Sequence, residues 1–244
     1  MTNEFDNFQY AQIRNHRYEQ WFRKVQYNGN ELNTAKKQEF LKIADETISD
    51  YMEGLPLLKE SLEQIKDLHN EYNNAYRIVI SITQFTMITM IDSMVISKYF
   101  ILADKDNDRR FMRGKMMVIL NEGFKKLYGF DEKSHKKSEW NRLTPVLNYM
   151  PEVIRTQHKQ ISSLLEEHSK SSSWWREERN VETHLDIEKL YESRCEPVIE
   201  SKVMLDSLKL FNTLYAVNLF LTNMHACFCN FLLTKYRQGE LKEK

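Results

Sequence analysis

Apolar positions recur at helical spacing along most of the chain. From Asn33, with Asn33 or Thr34 as N-cap, the residues Phe40, Leu41, Ala44, Ile48, Tyr51 and Met52 fall on one stripe. Gly54 and Pro56 punctuate that stripe and predict a break. A long helix is expected from about 57 to 103, first through Leu58, Leu62, Ile65, Leu68 and Tyr72, then through the apolar stretch 78–103. A polar connection follows at 104–108, and its acids precede Phe111, Met112, Met116, Ile119 and Leu120, as suits a helix N-terminus. Gly129 should end that helix, and 131–145 is basic with no helical period. Pro151 predicts a helix through Val153, Ile154, Ile161, Leu164 and Leu165, closed by the polar break 169–173. The last helix is expected over about 197–237, with Val203, Leu208, Phe211, Tyr215, Leu219, Met224, Phe228 and Phe231 as its apolar positions. The first 30 residues carry Phe5, Phe8, Tyr10, Tyr18, Trp21 and Phe22 ahead of an Asn28-Gly29-Asn30 turn, and predict a short packed helix. The expected fold is all-α: a helical bundle on two long apolar helices, 57–103 and 197–237. A helical extension, 1–55, would pack on a body, 56–244, as one compact unit.

Composition narrows the picture. A chain of 244 residues can bury a full core without disulfides. Six Gly and four Pro are too few for the tight turns of a sandwich, a barrel or a Rossmann fold. With 41% hydrophobic residues and 35 basic against 35 acidic side chains, it is too apolar and too neutral for a disordered chain. The stretch 78–103 is the one membrane-span candidate, but Gln84, several Ser and Thr, and Asp92 lie inside it. It is expected to be the buried centre of the bundle, with no membrane partner. The opening MTNEFDNFQY has neither a basic nor an apolar region of a signal peptide, and three cysteines suit a reducing cytoplasm. His225, Cys227 and Cys229 resemble metal ligands only briefly, because helix residues two apart point about 200° away from each other. They are read as small side chains of a buried helix. The acids Asp104, Asp106 and Asp108 open like a calcium loop, but the required Gly is Arg109 and the required Glu is Lys115. Neither a metal nor a cofactor is expected.

One segment differs from the rest. Residues 171–192 read SSSWWREERNVETHLDIEKLYE and place two Trp, two Arg and a His among acids, between helices. Inside it lies Arg179-Asn180-Val181-Glu182-Thr183-His184, the only Arg-x4-His in the chain. It resembles the Arg-polar-x3-His signature of the HEPN superfamily, all-helical proteins of bacterial toxins, abortive-infection systems and CRISPR-linked nucleases. The resemblance covers the motif, its place before the long final helix, and the all-helical frame. It implies a metal-independent endoribonuclease in a toxin or phage-defence role, working as a homodimer whose two motifs line one cleft, with an antitoxin or defence-system partner. The alternative is a non-catalytic HEPN-like RNA- or protein-binding or assembly module.

The residue types suit that chemistry. An imidazole with an ordinary pKa near 6.5 can take the proton of a ribose 2′-OH at neutral pH. A guanidinium can fork onto the phosphorane oxygens, which carry more charge than the ground state. Arg179 would clamp the phosphate, His184 would move the proton and Asn180 would orient either. Glu178, Glu182 and Asp186 would support them, Asp186 by orienting the imidazole. On a regular helix, Arg179 and His184 diverge by about 140°, which fits a composite dimeric site. Trp174 and Trp175, with Arg176, could stack on or contact RNA, although paired Trp residues more often anchor a helix or line an interface. Structurally, the same acids and bases would form a solvated ion-pair network.

Charge is unevenly distributed. Residues 105–142 carry 11 basic and 6 acidic side chains, net +5, and 166–206 carry 6 and 11, net −5. Arg109, Arg110 and Arg113, with Lys125, Lys126, Lys136 and Lys137, form a basic set suited to RNA phosphates or to the acidic face of a second copy. Acids around the motif oppose tight RNA binding. They suit a low-affinity enzyme, a selective one, or one that no longer cleaves.

Overall fold

The structure is a computed structural model that describes residues 32–67, 70–171 and 198–239, and the isolated positions 180, 188, 189, 191 and 195. Among these residues there is no strand. The elements are α1 (Thr34–Gln64), α2 (Glu71–Leu102), α3 (Asp106–Leu127), α4 (Glu132–Lys136), a 3-10 segment (Asn141–Tyr149), α5 (Glu152–Ser171) and α6 (Glu200–Arg237). The fold is the all-α bundle the pattern predicts, built on the two long apolar helices α2 and α6.

Several ends follow local chemistry. Asn33 caps α1 by accepting from Lys36 N at 2.9 Å, and Asn70 caps α2 by accepting from Asn73 N at 2.9 Å. Asp106 and Asp108 occupy the first turn of α3 and Lys125 and Lys126 the last, each matching the macrodipole. Gly129 has φ of 87°, and a Cβ there would lie 2.5 Å from His135 N. Pro151 immediately precedes α5.

Gly54 and Pro56 do not break α1, which runs through both, so the first long apolar helix starts at Glu71 and not at 57. Pro56 sits on an outward turn, where Met52 is 54% and Leu57 64% exposed, and water can reach the carbonyl it leaves without an N–H. Gly54 is a packing contact: a Cβ there would stand 2.8 Å from Met87 Cε of α2. The helix ends instead at Gln64, with Ile65 as its C-cap, and α2 starts after Asn70. There the Arg77 guanidinium donates to the Ile65 and Lys66 carbonyls, each at 2.5 Å, closing the end of α1 with a cation. The basic stretch 131–145 is also more ordered than expected. Asp131 and Ser134 form a capping box for α4, and the 3-10 segment buries Leu143 and Val146. The α5 helix continues through Ser171, past the polar run at 169, and α6 begins at Glu200 rather than 197.

The α2 helix is the axis of the bundle and packs against α1, α3 and α6, while α5 lies on α6. Buried hydroxyls on α2 satisfy themselves within their own helix. Thr83 donates to Val79 O (2.8 Å), Thr89 to Phe85 O (2.9 Å), Ser93 to Thr89 O (2.6 Å) and Ser97 to Ser93 O (2.7 Å). Small self-paired side chains let neighbours approach: at Gly123 of α3 a Cβ would meet Thr89 Cγ2 at 2.5 Å. Met116 Sδ of α3 lies 3.1 Å from the Ser97 hydroxyl and 3.5 Å from that of Ser207 on α6. One polar chain crosses three helices: Thr86 donates to Asn218 Oδ1 at 2.5 Å, and Asn218 Nδ2 to Tyr51 Oη at 3.4 Å. These contacts make α2 antiparallel to α3 and α6, and Lys98 pairs with Asp45 of the antiparallel α1. By length and composition, Glu71–Leu102 and Leu210–Arg237 could each cross a membrane, but 56% of the apolar window of the first is buried inside the bundle.

Gly129→Ala is expected to lower unfolding free energy by about 2 kcal/mol or more, because it combines a left-handed φ with a backbone clash. Urea titration of both proteins checks this; a loss below about 0.5 kcal/mol would show that the turn rearranges without strain.

Candidate functional site

The bundle has two poles. At one, α2 ends and α3 and α6 begin, since Met116 of α3 lies against Ser207 of α6 while Ser97 of α2 meets Met116. The segment 172–199, which carries the Arg-x4-His motif, leads directly into this start of α6. Arg179, His184, Glu178, Glu182, Asp186, Trp174, Trp175 and Arg176 lie outside the described residues. Asn180 is described: it is helical and exposed.

Arg109, Arg110 and Arg113, near the start of α3, stand at the same pole. Arg109 is engaged in the fold, its Nε donating to Ala103 O at 2.9 Å and its guanidinium 3.6 Å from Asp106. That places a cation on the carbonyl just past the C-terminus of α2, where the helix dipole favours it. Its side chain is only 12% exposed, so it offers phosphate little surface. Arg110 and Arg113 are half-buried. Lys126 and Arg142 are drawn onto Glu139, which is 7% exposed: Lys126 Nζ lies 2.9 Å from one carboxylate oxygen and Arg142 pairs with the other. Part of the basic set expected to face RNA or a second copy therefore serves the fold.

The opposite pole holds a constellation that the spacing argument passed over. His225 and Cys229 are four residues apart on α6 and so share a face, whereas Cys227 does not. Antiparallel packing brings Tyr76 of α2 to that face. Its Oη lies 3.2 Å from His225 Nε2 and 3.1 Å from Cys229 Sγ, and its ring stacks on Phe228 at 5.4 Å. Burial, then the adjacent Cys229 sulfur, push the Tyr76 phenol well above its ordinary value, and Ser61 of α1 opposes this slightly. Burial pushes the His225 imidazole down, so it is neutral at pH 7. The i,i+4 signal was present in the sequence; the missing partner was a tyrosine 149 positions away. Among the described residues, no three His, Cys, Asp or Glu side chains converge as a metal site.

His158 is the other buried imidazole. It stacks flat on Trp140 (4.8 Å, 6°) with Phe220 beside it, and its Nε2 is buried without a partner among the described residues. Burial pushes its pKa down to about 4. Its surroundings are those of a core aromatic ring.

No family model, curated protein or solved structure matches the chain.

His158 has a pH consequence. Its folded value, about 4, lies below the unfolded value of 6.5, so the unfolded chain binds the extra proton. Its stabilising contribution is complete above pH 6.5 and is lost as pH falls toward 4. Between pH 7 and pH 5 that loss is on the order of 1–2 kcal/mol. In His158→Phe, urea midpoints at the two pH values should lie closer together than in the parent chain; an unchanged gap would show that His158 already carries its proton when folded.

Proposed function

We propose that this protein is a HEPN-type, metal-independent endoribonuclease acting in a toxin or phage-defence role in the cytoplasm. The observation that carries the proposal is the single Arg179-Asn180-x3-His184 motif, in the segment that joins α5 to the last long helix of an all-α bundle. His184 takes the proton from a ribose 2′-OH. The oxygen attacks the adjacent phosphorus, the 5′-oxygen departs with a proton, and a cyclic phosphate remains. Arg179 forks onto the non-bridging oxygens as their charge grows, and so binds the transition state more tightly than the substrate. Asn180, helical and exposed, carries an amide that can orient the phosphate or the imidazole.

The spacing of Arg179 and His184 favours a site completed by a second copy. The acids flanking them repel the backbone of a polyanion. Arg110 and Arg113, half-buried, add positive charge at the pole where α6 starts, and Arg109 there holds the end of α2. An RNA drawn to this pole would be held loosely and cut selectively, which suits an activity that must stay silent until triggered.

Purified protein, incubated with structured and unstructured RNAs in the presence of a chelator, should produce ends bearing cyclic phosphate. His184→Ala and Arg179→Ala should each reduce that cleavage by about 10²–10⁴-fold. Cleavage persisting in both variants would remove the assignment. RNA binding without cleavage by the parent chain would favour the binding-module reading.

A further inference from the structure

Among the described elements, α2 is covered on three sides and open on the fourth. Met87 faces α1, Thr89 faces α3 and Thr86 faces α6. The core is built from these covered sides, through Val79, Ile80, Met90 and Met94, each fully buried. On the open side, Ile78, Phe85, Ile88, Val95, Tyr99 and Leu102 recur, together with Ser81 and Asp92, at alternating steps of three and four residues. Such steps average 3.5 residues and hold one line of side chains along a helix, the pattern by which two helices pair. Ile88 is 47%, Tyr99 57% and Leu102 56% exposed. Ser81 and Asp92 are exposed, and Ile78, Phe85 and Val95 are half-buried.

The two polar members of the line select what can cover it. Asp92 lies in the middle, and a carboxylate there is costly against hydrocarbon. Against a parallel second copy it would meet its own counterpart, two like charges across one contact. An antiparallel copy removes both costs. Reversing the line about a point between residues 86 and 87 sets Ile78 opposite Val95 of the second copy and Phe85 opposite Ile88. The same reversal sets Ser81 opposite Asp92, where the hydroxyl can donate to the carboxylate. The cations that flank the line are already engaged, Lys98 with Asp45 and Arg77 with the carbonyls at the end of α1.

The size fits as well. Met52 is seven residues from Asp45, so it carries the apolar face onto the edge of α1, where it is 54% exposed. A line about 36 Å long with this edge offers about 500 Å² per copy, and about 1,000 Å² in total is the low end for a specific interface.

We propose that the open face of α2 docks a second copy of this chain, antiparallel, along the line from Ile78 to Leu102. The motif poles of the two copies then lie at opposite ends, roughly 45 Å apart along the helices. The contact is distinct from a motif-to-motif pairing, and it stands whether or not the chain cleaves RNA.

Sedimentation velocity of the full chain should show association across about 1–100 μM, as befits a small interface. Ile88→Glu should keep the helical circular dichroism and weaken association by about 100-fold or more, because it puts two carboxylates at the apolar centre. Ser81→Lys should tighten association about fivefold through two ion pairs with Asp92. A parallel arrangement would instead oppose the two introduced amines and weaken it. Carbodiimide should link the introduced amine to Asp92. Such a link is intermolecular, because the two positions lie about 16 Å apart on one helix, beyond the reach of their side chains. A strictly monomeric parent chain overturns the proposal, as does association that Ile88→Glu leaves unchanged or that Ser81→Lys weakens. A parent chain that stays monomeric yet floats with phosphatidylcholine–phosphatidylglycerol vesicles assigns the face to a bilayer and also overturns it.

Discussion

The bundle depends on the α2 helix being surrounded while carrying five buried hydroxyls, Thr83, Thr86, Thr89, Ser93 and Ser97. A buried hydroxyl with no partner is costly, and a partner on another helix would demand one fixed geometry at each site. Four of these groups instead bond back into their own helix. Their small volume then brings α3 close enough that Gly123 is needed opposite Thr89. Thr86 reaches outward to a polar side chain, and through Asn218 and Tyr51 it registers three helices at once. Apolar burial drives the assembly; this one polar chain distinguishes its register from a slipped one.

The same antiparallel arrangement separates the two poles chemically. One is charged: α3 opens with acids and arginines, α6 starts there, and the motif segment feeds into it. The other is aromatic, with Tyr72, Tyr149, Phe228 and Phe231 ringing the Tyr76–His225–Cys229 group. The net charge of the chain is zero. It is the sum of a basic middle and an acidic motif region, and part of the basic half is committed to structure, with Arg109 on the end of α2 and Lys126 and Arg142 on buried Glu139. What remains for a polyanion is weaker than the raw count of arginines implies, which favours selective contact over tight binding.

Much of the fold was legible because helices advertise themselves locally. The 3.6-residue period, the Asn33 cap, the acids before Phe111 and the Gly129 stop all act within a turn or two of the residue concerned. Gly54 and Pro56 misled for the same reason: as local signals they mean a break, and only packing against Met87 and an outward-facing turn make them compatible with continuous helix. The true end of α1, at Ile65, depends on Arg77 reaching back to Ile65 and Lys66, a contact across 11 or 12 residues with no local signature.

By itself the sequence determined the helical class, the two apolar helices at its centre and one Arg-x4-His pattern with the residue types for metal-free RNA cleavage. Those properties rest on periodicity and short spacing, which are readable along one strand of text. Tertiary structure decided which polar groups meet: Tyr76 with His225 and Cys229, Thr86 with Asn218, Glu139 with Lys126 and Arg142. Each such meeting joins residues on different elements, and antiparallel packing of the helices, not neighbourhood in the chain, sets the partner. Helix spacing by itself reads His225, Cys227 and Cys229 as small side chains of a buried helix; the fold sets Tyr76 against two of them.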